Sequence, residues 1–235
     1  MKFKNIFLIS TLLLLLSSQA FSSEKLIFTS IKNSSFTNFA MAVLGEAYKR
    51  IDIEISNEPL PAKRSLRWAN EGLHYDGELF RISGIEKQYT NLIPIKVPLH
   101  KSQWMAYTKN KKIKIAGWQS LKPYKIGIRR GIVTTKNGTK GFDTQEVNTN
   151  KQLFEMLYRN RVDVVILSKG NAEKALDGLN YEGINMLEPP VSTRYVYHYI
   201  HKKNKHLQSK LYKVLEKMEK EGLIDKIRNQ SKFIR

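Results

Sequence analysis

The sequence predicts an α/β protein whose sheets are mostly parallel. Three observations carry that expectation. Runs of strand character at 25–29 and 51–55 enclose an apolar stripe at three-and-four spacing: Phe36, Phe39, Ala40, Val43, Leu44, Ala47 and Tyr48. The same strand–helix–strand order continues through 61–80, the pattern of a sheet covered by helices. Farther on, residues 162–167 read Val-Asp-Val-Val-Ile-Leu, a run suited to a strand buried on both faces.

Taken in order, residues 25–29 form the first strand, and Asn33, Ser34 and Ser35 can cap a helix over 35–50. Ile51, Ile53 and Ile55 alternate with Asp52 and Glu54, which gives the second strand. Pro61 suits the first turn of another helix, whose face of Leu66, Ala69, Asn70 and Leu73 ends at Gly72. A short strand at 74–80 follows, and Arg81-Ile-Ser-Gly breaks its pattern. Residues 103–108 make a strand closed by the turn Lys109-Asn-Lys-Lys. A short helix from Gly117 to Pro123 and a strand at 124–128 come next, then a strand at 142–147. Thr149 and Asn150 cap a helix carrying Leu153, Phe154, Leu157 and Tyr158. After the 162–167 strand come a helix at 170–176, a strand at 184–187 halted before Pro189-Pro190, and an alternating strand at 194–200. Leu207, Leu211, Val214, Leu215 and Met218 stripe the last long helix, which Gly222 stops; Ile224 and Ile227 belong to a short final one.

The first residues differ from the rest. Lys2 and Lys4 precede an apolar run at 6–16 and a small-residue exit, which together describe a secretory signal peptide over 1–22. Ser22 is the chosen cleavage point and Ala20 the neighbouring choice. The run is shorter than the ~20 residues a membrane helix needs, so a soluble, exported, periplasmic protein is expected. With no cysteine in the chain, disulfides and a lipid-bearing thiol anchor are both excluded. Removing the peptide leaves about 213 residues, enough for one large or two small domains stabilised by a core.

The formal charge of +19 falls to +17 once Lys2 and Lys4 are gone. The basic residues are scattered and mostly lysine, with no aromatic-interleaved stripe, so a solvated surface rather than a nucleic-acid partner is expected. His198 and His201 point to opposite faces of a strand, which argues against a metal. Gly131, Gly138 and Thr139-Lys140 miss the phosphate-loop spacing. There is no G-x-S-x-G elbow and no thiol nucleophile. No catalytic set emerges, and no cofactor is expected.

A family likeness rests on residues 61–99. A helix, then Gly72 to Asp76, a strand to Arg81, the 83–87 region and Val97-Pro98-Leu99 stand in a characteristic order. It resembles the type 2 periplasmic solute-binding proteins, in the family 3 branch that serves polar amino acid ABC importers. Residues 161–167 are similar to that family's Gly-x-Val-Asp-Ala-Val step. The resemblance implies two lobes, each a mostly parallel sheet flanked by helices, with the ligand cleft between them. Lobe one would be 23–103 with 194–235, and lobe two 104–193. It also implies a monomer that closes on a small polar solute and delivers it to the membrane permease of an ABC importer. Two alternatives stand beside it: a sensing module for a membrane receptor, and a dehydratase-like enzyme using Glu78 or Asp76 as acid.

Polar groups crowd the strand exit at Asp76, Glu78, Arg81, Ser83 and Lys87, the carboxyl edge where open α/β sheets bind ligands. With the resemblance, the ligand-binding candidates are Asn33, Phe36, Tyr75, Glu78, Arg81, Ser83, Lys87, Trp104, Arg129, Arg130 and Ser168. The family's carboxylate-clamping arginine falls at Lys87 or Gln88, its ammonium-binding aspartate at Ser168, and its threonine after Gly131 at Ile132. These departures disfavour a standard amino acid. Arg81 adds a fork suited to carboxylate or phosphate, so an anionic group at Arg81 is expected.

Overall fold

The computed structural model describes residues 24–234; the expected signal peptide at 1–22 lies outside the described residues. The first part of the chain forms β1 (Glu24–Ile31), α1 (Thr37–Lys49), β2 (Ile53–Leu60), α2 (Ala62–Glu71) and β3 (Gly77–Ile82). A 17-residue strand, β4 (Leu92–Thr108), leads into β5 (Ile126–Arg129), α3 (Val133–Gly138), β6 (Thr144–Val147), α4 (Asn150–Tyr158), β7 (Val164–Ser168) and α5 (Lys169–Leu176). A second 17-residue strand, β8 (Asn185–His201), returns to α6 (Gln208–Lys220) and α7 (Leu223–Asn229).

The strand order is β2-β1-β3-β8-β4-β7-β5-β6. At each end the pairing is parallel: β1 with β2 and β3, and β5 with β6 and β7. The two long strands are antiparallel to each other and tie the halves together, from Leu92↔His201 at one end to Thr108↔Asn185 at the other. The result is two α/β lobes joined through β4 and β8.

Each lobe has its own core on both sheet faces. In the first, α1 buries the predicted stripe, Phe39, Ala40, Val43, Leu44, Ala47 and Tyr48, against α6 and α7, which contribute Leu211, Leu215, Met218 and Ile224. The other face carries Leu66 and Ala69 of α2 over Tyr199. In the second lobe alternation does the sorting: Trp104, Ala106, Val164 and Ile166 enter one cluster, and Met105, Tyr107, Val165 and Leu167 the other. The Thr149 cap is present as a capping box with Gln152, and Gly72 ends α2 at φ 71°, a left-handed conformation that suits glycine.

Three expectations are corrected. Strand character resumes long before residue 103: β4 begins at Leu92, which is buried beside Tyr199, and its alternating Ile95, Val97 and Leu99 are buried in the other core cluster of lobe one. Pro189-Pro190 does not end a strand. Residues 188–191 lie in a register shift between Trp104↔Ser192 and Ala106↔Leu187, where prolines deprive the ladder of no donor. Nor does Arg81 break β3; it is paired with Tyr197 inside the strand.

Among the described residues no helix is long and apolar enough to cross a membrane, and no group of three or more His, Cys, Asp or Glu could hold a metal ion.

Candidate functional site

A cavity of about 100 Å³ opens where the two lobes meet. Its walls come from the β1–α1 loop (Ile31, Ser34, Ser35, Phe36), the end of β3 (Phe80, Arg81, Ile82) and the central stretch of β4 from His100 to Trp104. The opposite side is Arg129 at the end of β5, Ile132, Val133 and Thr134 at the start of α3, Asn150, and Leu167 to Asn171 across the end of β7 and the start of α5. Phe233 and Ile234 of the C-terminal segment complete it. Most of these groups stand at carboxyl ends of parallel strands.

Arg81 is held in place by its own lobe. Its Nε donates to Glu78 Oε1 at 3.0 Å and its Nη2 to the Ala62 carbonyl at 2.9 Å. In a regular strand residues 78 and 81 would face opposite ways. Here the register slips between Glu78↔Tyr199 and Arg81↔Tyr197, and the bulge brings the two side chains to one face. Glu78 is fully buried and also accepts from Thr29 Oγ1 at 2.9 Å and Ser65 Oγ at 2.6 Å. Burial pushes its carboxyl upward, while Arg81, Ser65 and Thr29 pull it back. Three donors on one carboxylate favour the ion.

Arg129 is different. It is 7 % exposed and donates to two neutral oxygens, Asn150 Oδ1 at 3.2 Å and the Lys32 carbonyl at 2.7 Å. No carboxylate pairs with it among the described residues. Burial, then repulsion from Arg81, lowers its proton affinity below the usual guanidinium range. Two further polar atoms of the lining, Trp104 Nε1 and Thr134 Oγ1, are buried with no hydrogen-bond partner among the described residues.

The apolar side is aromatic. Phe36 meets Phe80 edge-on with centroids 4.8 Å apart, and His100 lies 5.6 Å from Phe36. Burial and nearby Arg228 lower His100 to about 4, so its ring is neutral at pH 7.

The β1–α1 loop is fastened across the cleft. Ser35 N–H donates to Asn171 Oδ1 at 2.9 Å, Lys174 Nζ donates to the Ser34 carbonyl at 3.2 Å, and Asn171 Nδ2 donates to Ser168 Oγ at 2.7 Å. A Cβ on Gly170 would lie 1.9 Å from the Phe233 carbonyl, so this position must stay side-chain-free for the C-terminal segment to seat.

Of the sequence-derived candidates, Phe36, Arg81, Trp104, Arg129 and Ser168 line the cavity. The others lie elsewhere, each for a visible reason. Asn33 is exposed at a φ of 61° in the preceding turn. Tyr75 stacks on Trp68 and donates to Glu58 at 2.7 Å. Glu78 is beneath Arg81, and Ser83 is tied to Tyr195 through its backbone. Lys87 is exposed on a short 3-10 turn, as is neighbouring Gln88, so neither position expected of a carboxylate-clamping arginine reaches the cavity. Arg130 points outward to Glu146 and Asn148. Asp76, the other acid weighed for catalysis, accepts from Ile27 N–H and pairs with Lys203. Sequence reasoning missed His100, Thr134, Asn150 and Asn171. The last two follow the carboxyl ends of β6 and β7, a placement that could have marked them.

No family model matches the chain. An uncharacterised protein of Shewanella oneidensis is 29 % identical over 212 residues, covering 86 % of this chain and 78 % of that protein. The GluR0 ligand-binding core in complex with L-glutamate superposes with a TM-score of 0.76 at 13 % identity, over 91 % of this chain and all of that one. A histidine kinase sensor domain similar to periplasmic binding proteins gives 0.74 at 12 % identity, over 88 % and 96 %. An amino acid ABC transporter substrate-binding protein from Streptococcus pneumoniae, bound to L-arginine, gives 0.70 at 15 % identity, over 89 % and 95 %. At such identities the likeness is one of fold.

Proposed function

We propose that this chain, which has the two-lobed fold of type 2 periplasmic solute-binding proteins, captures a small anionic solute in the periplasm for an ABC importer. The supporting observation is the charge of the inter-lobe cavity: Arg81 and Arg129 line it, and no Asp or Glu does. The periplasmic setting rests on the signal-peptide pattern at 1–22. The pairing of Gln103 with Thr193 and Ser102 with Arg194 supports lobe boundaries at 103/104 and 193/194, with the two crossings acting together as the hinge. The protein works as a monomer, without cofactor or nucleic acid, handing its solute to a membrane permease.

Mass spectrometry of solute released by denaturing periplasmically purified protein tests this reading. A small anion is expected, and adding it back to stripped protein should compact the molecule in small-angle X-ray scattering. Recovery of a cation as the sole saturable ligand would overturn it. The fold likeness to a histidine kinase sensor domain supports a second reading, delivery to a membrane receptor. Pull-down with the ligand-loaded protein separates the two by retrieving a permease or a receptor kinase.

A further inference from the structure

We infer that the solute is a small carboxylate with an apolar body and no cationic group, its carboxylate bound by Arg129, Trp104 and Thr134 of the second lobe. The inference rests on the solute-capture reading and sharpens it. Charge comes first. Glu78 neutralises Arg81 at 3.0 Å, so Arg129 is the buried guanidinium of the lining without an acidic partner; exposed Lys101 and half-buried Lys169 add positive charge to the same lining, which calls for an anion. An indole N–H can only donate, and Trp104 Nε1 is buried without an acceptor. Thr134 Oγ1 is the second unpartnered atom. Trp104 is 6 % and Thr134 8 % exposed, and both line the same cavity as Arg129. A carboxylate has two oxygens and about four acceptor sites, enough for this guanidinium, indole and hydroxyl together.

The rest of the lining describes the body of the ligand. An α-ammonium would find no carboxylate there. It would find Phe36, Phe80 and the neutral ring of His100, the aromatic cluster on the first-lobe side. A space of about 100 Å³ is several times what one water needs and takes a small molecule.

The test is calorimetry on the refolded, solute-free full chain with phenylacetate, phenylacetamide, L-phenylalanine, phenyl phosphate and L-arginine. Phenylacetate should bind at least tenfold tighter than each of the other four. Arg129→Gln should weaken it at least 30-fold, and Trp104→Phe and Thr134→Val about three- to tenfold each. Arg129→Lys, which keeps the charge and loses the fork, should fall between wild type and Arg129→Gln and guards against a misfolded Gln variant. Tighter binding of L-phenylalanine or L-arginine would overturn the carboxylate-only inference while leaving solute capture intact. Tighter binding of phenyl phosphate would overturn the carboxylate. Should neither the five probes nor any co-purified solute saturate the protein, capture itself fails with the inference.

Discussion

The two walls of the cavity each present one buried arginine, and they treat it in opposite ways. On the first-lobe side Arg81 meets the Ala62 carbonyl and Glu78, a carboxylate already held by Thr29 and Ser65. On the second-lobe side Arg129 meets an amide oxygen and a backbone carbonyl, beside an indole N–H and a hydroxyl left without partners. A guanidinium whose counter-charge comes from its own lobe contributes to the shape of that lobe. One whose counter-charge is missing is set to accept it from outside. Lining a cavity is therefore a weaker sign of ligand binding than the state of a residue's own hydrogen bonds.

The largest test of that contrast is Arg81→Met. It strands a fully buried carboxylate and should cost about 3–5 kcal/mol in urea unfolding; adding Glu78→Gln should recover much of the loss. An Arg81→Met protein as stable as wild type would erase the distinction between the walls. Acid should then separate the lobes themselves. His198, with Nδ1 against the Leu79 carbonyl and Nε2 against Tyr48 Oη, is lowered by burial to about 4, as is His100. Their folded values lie below the unfolded ~6.5, so the stabilisation is complete above pH 6.5 and drains away as pH falls towards 4, about 3 kcal/mol for His198 alone. All five histidines (His74, His100, His198, His201 and His206) lie outside 104–193. Hydrogen exchange at pH 5 should accordingly loosen the first lobe ahead of the second, and equal loosening would refute the account. A smaller effect is expected for Arg129→Met, about 1–2 kcal/mol from unpairing Asn150 and the Lys32 carbonyl. Smallest is Arg130→Ala, which removes an exposed pair with Glu146 and should change stability by about 0–1 kcal/mol in the same unfolding assay.

Much of the fold was legible because periodicity survives translation into structure. The α1 stripe, the α6 stripe (with Val214 half-buried) and the continuous apolar 164–167 run bury the residues their spacing marked. The candidate site was legible in part. Sequence order located the strand exits, which is how Phe36, Arg81, Trp104, Arg129 and Ser168 came to be selected. What it hid was a bulge. Nothing in Glu78-Leu79-Phe80-Arg81 announces that the register slips there, so the sequence leaves open whether the acid and base three apart are site residues or one internal pair. The prolines at 189 and 190 misled for a related reason: their unpaired place in β8 depends on Met105 of a strand far away in sequence. Thr134 escaped selection, and Arg129 was not set apart from Arg81, because their significance lies in partners they lack, and a missing partner leaves no trace in a sequence.

The core of the first lobe is assembled from both ends of the chain. Leu26, Phe28 and the α1 stripe pack against Leu207, Leu211, Leu215, Met218, Ile224 and Ile234, whereas the clusters of the second lobe draw almost entirely on residues 104–191. For a chain emerging from its amino end, this sets a timetable. The second lobe has nearly all its contacts once β8 has begun, but α1 must wait for a surface synthesised some 170 residues later. Until then it exposes an apolar face to whatever meets nascent chains. The lobe that begins first is the lobe that finishes last, and trimming the final turns, α7 and Ile234, should disable a structure whose first strand lies at the opposite terminus.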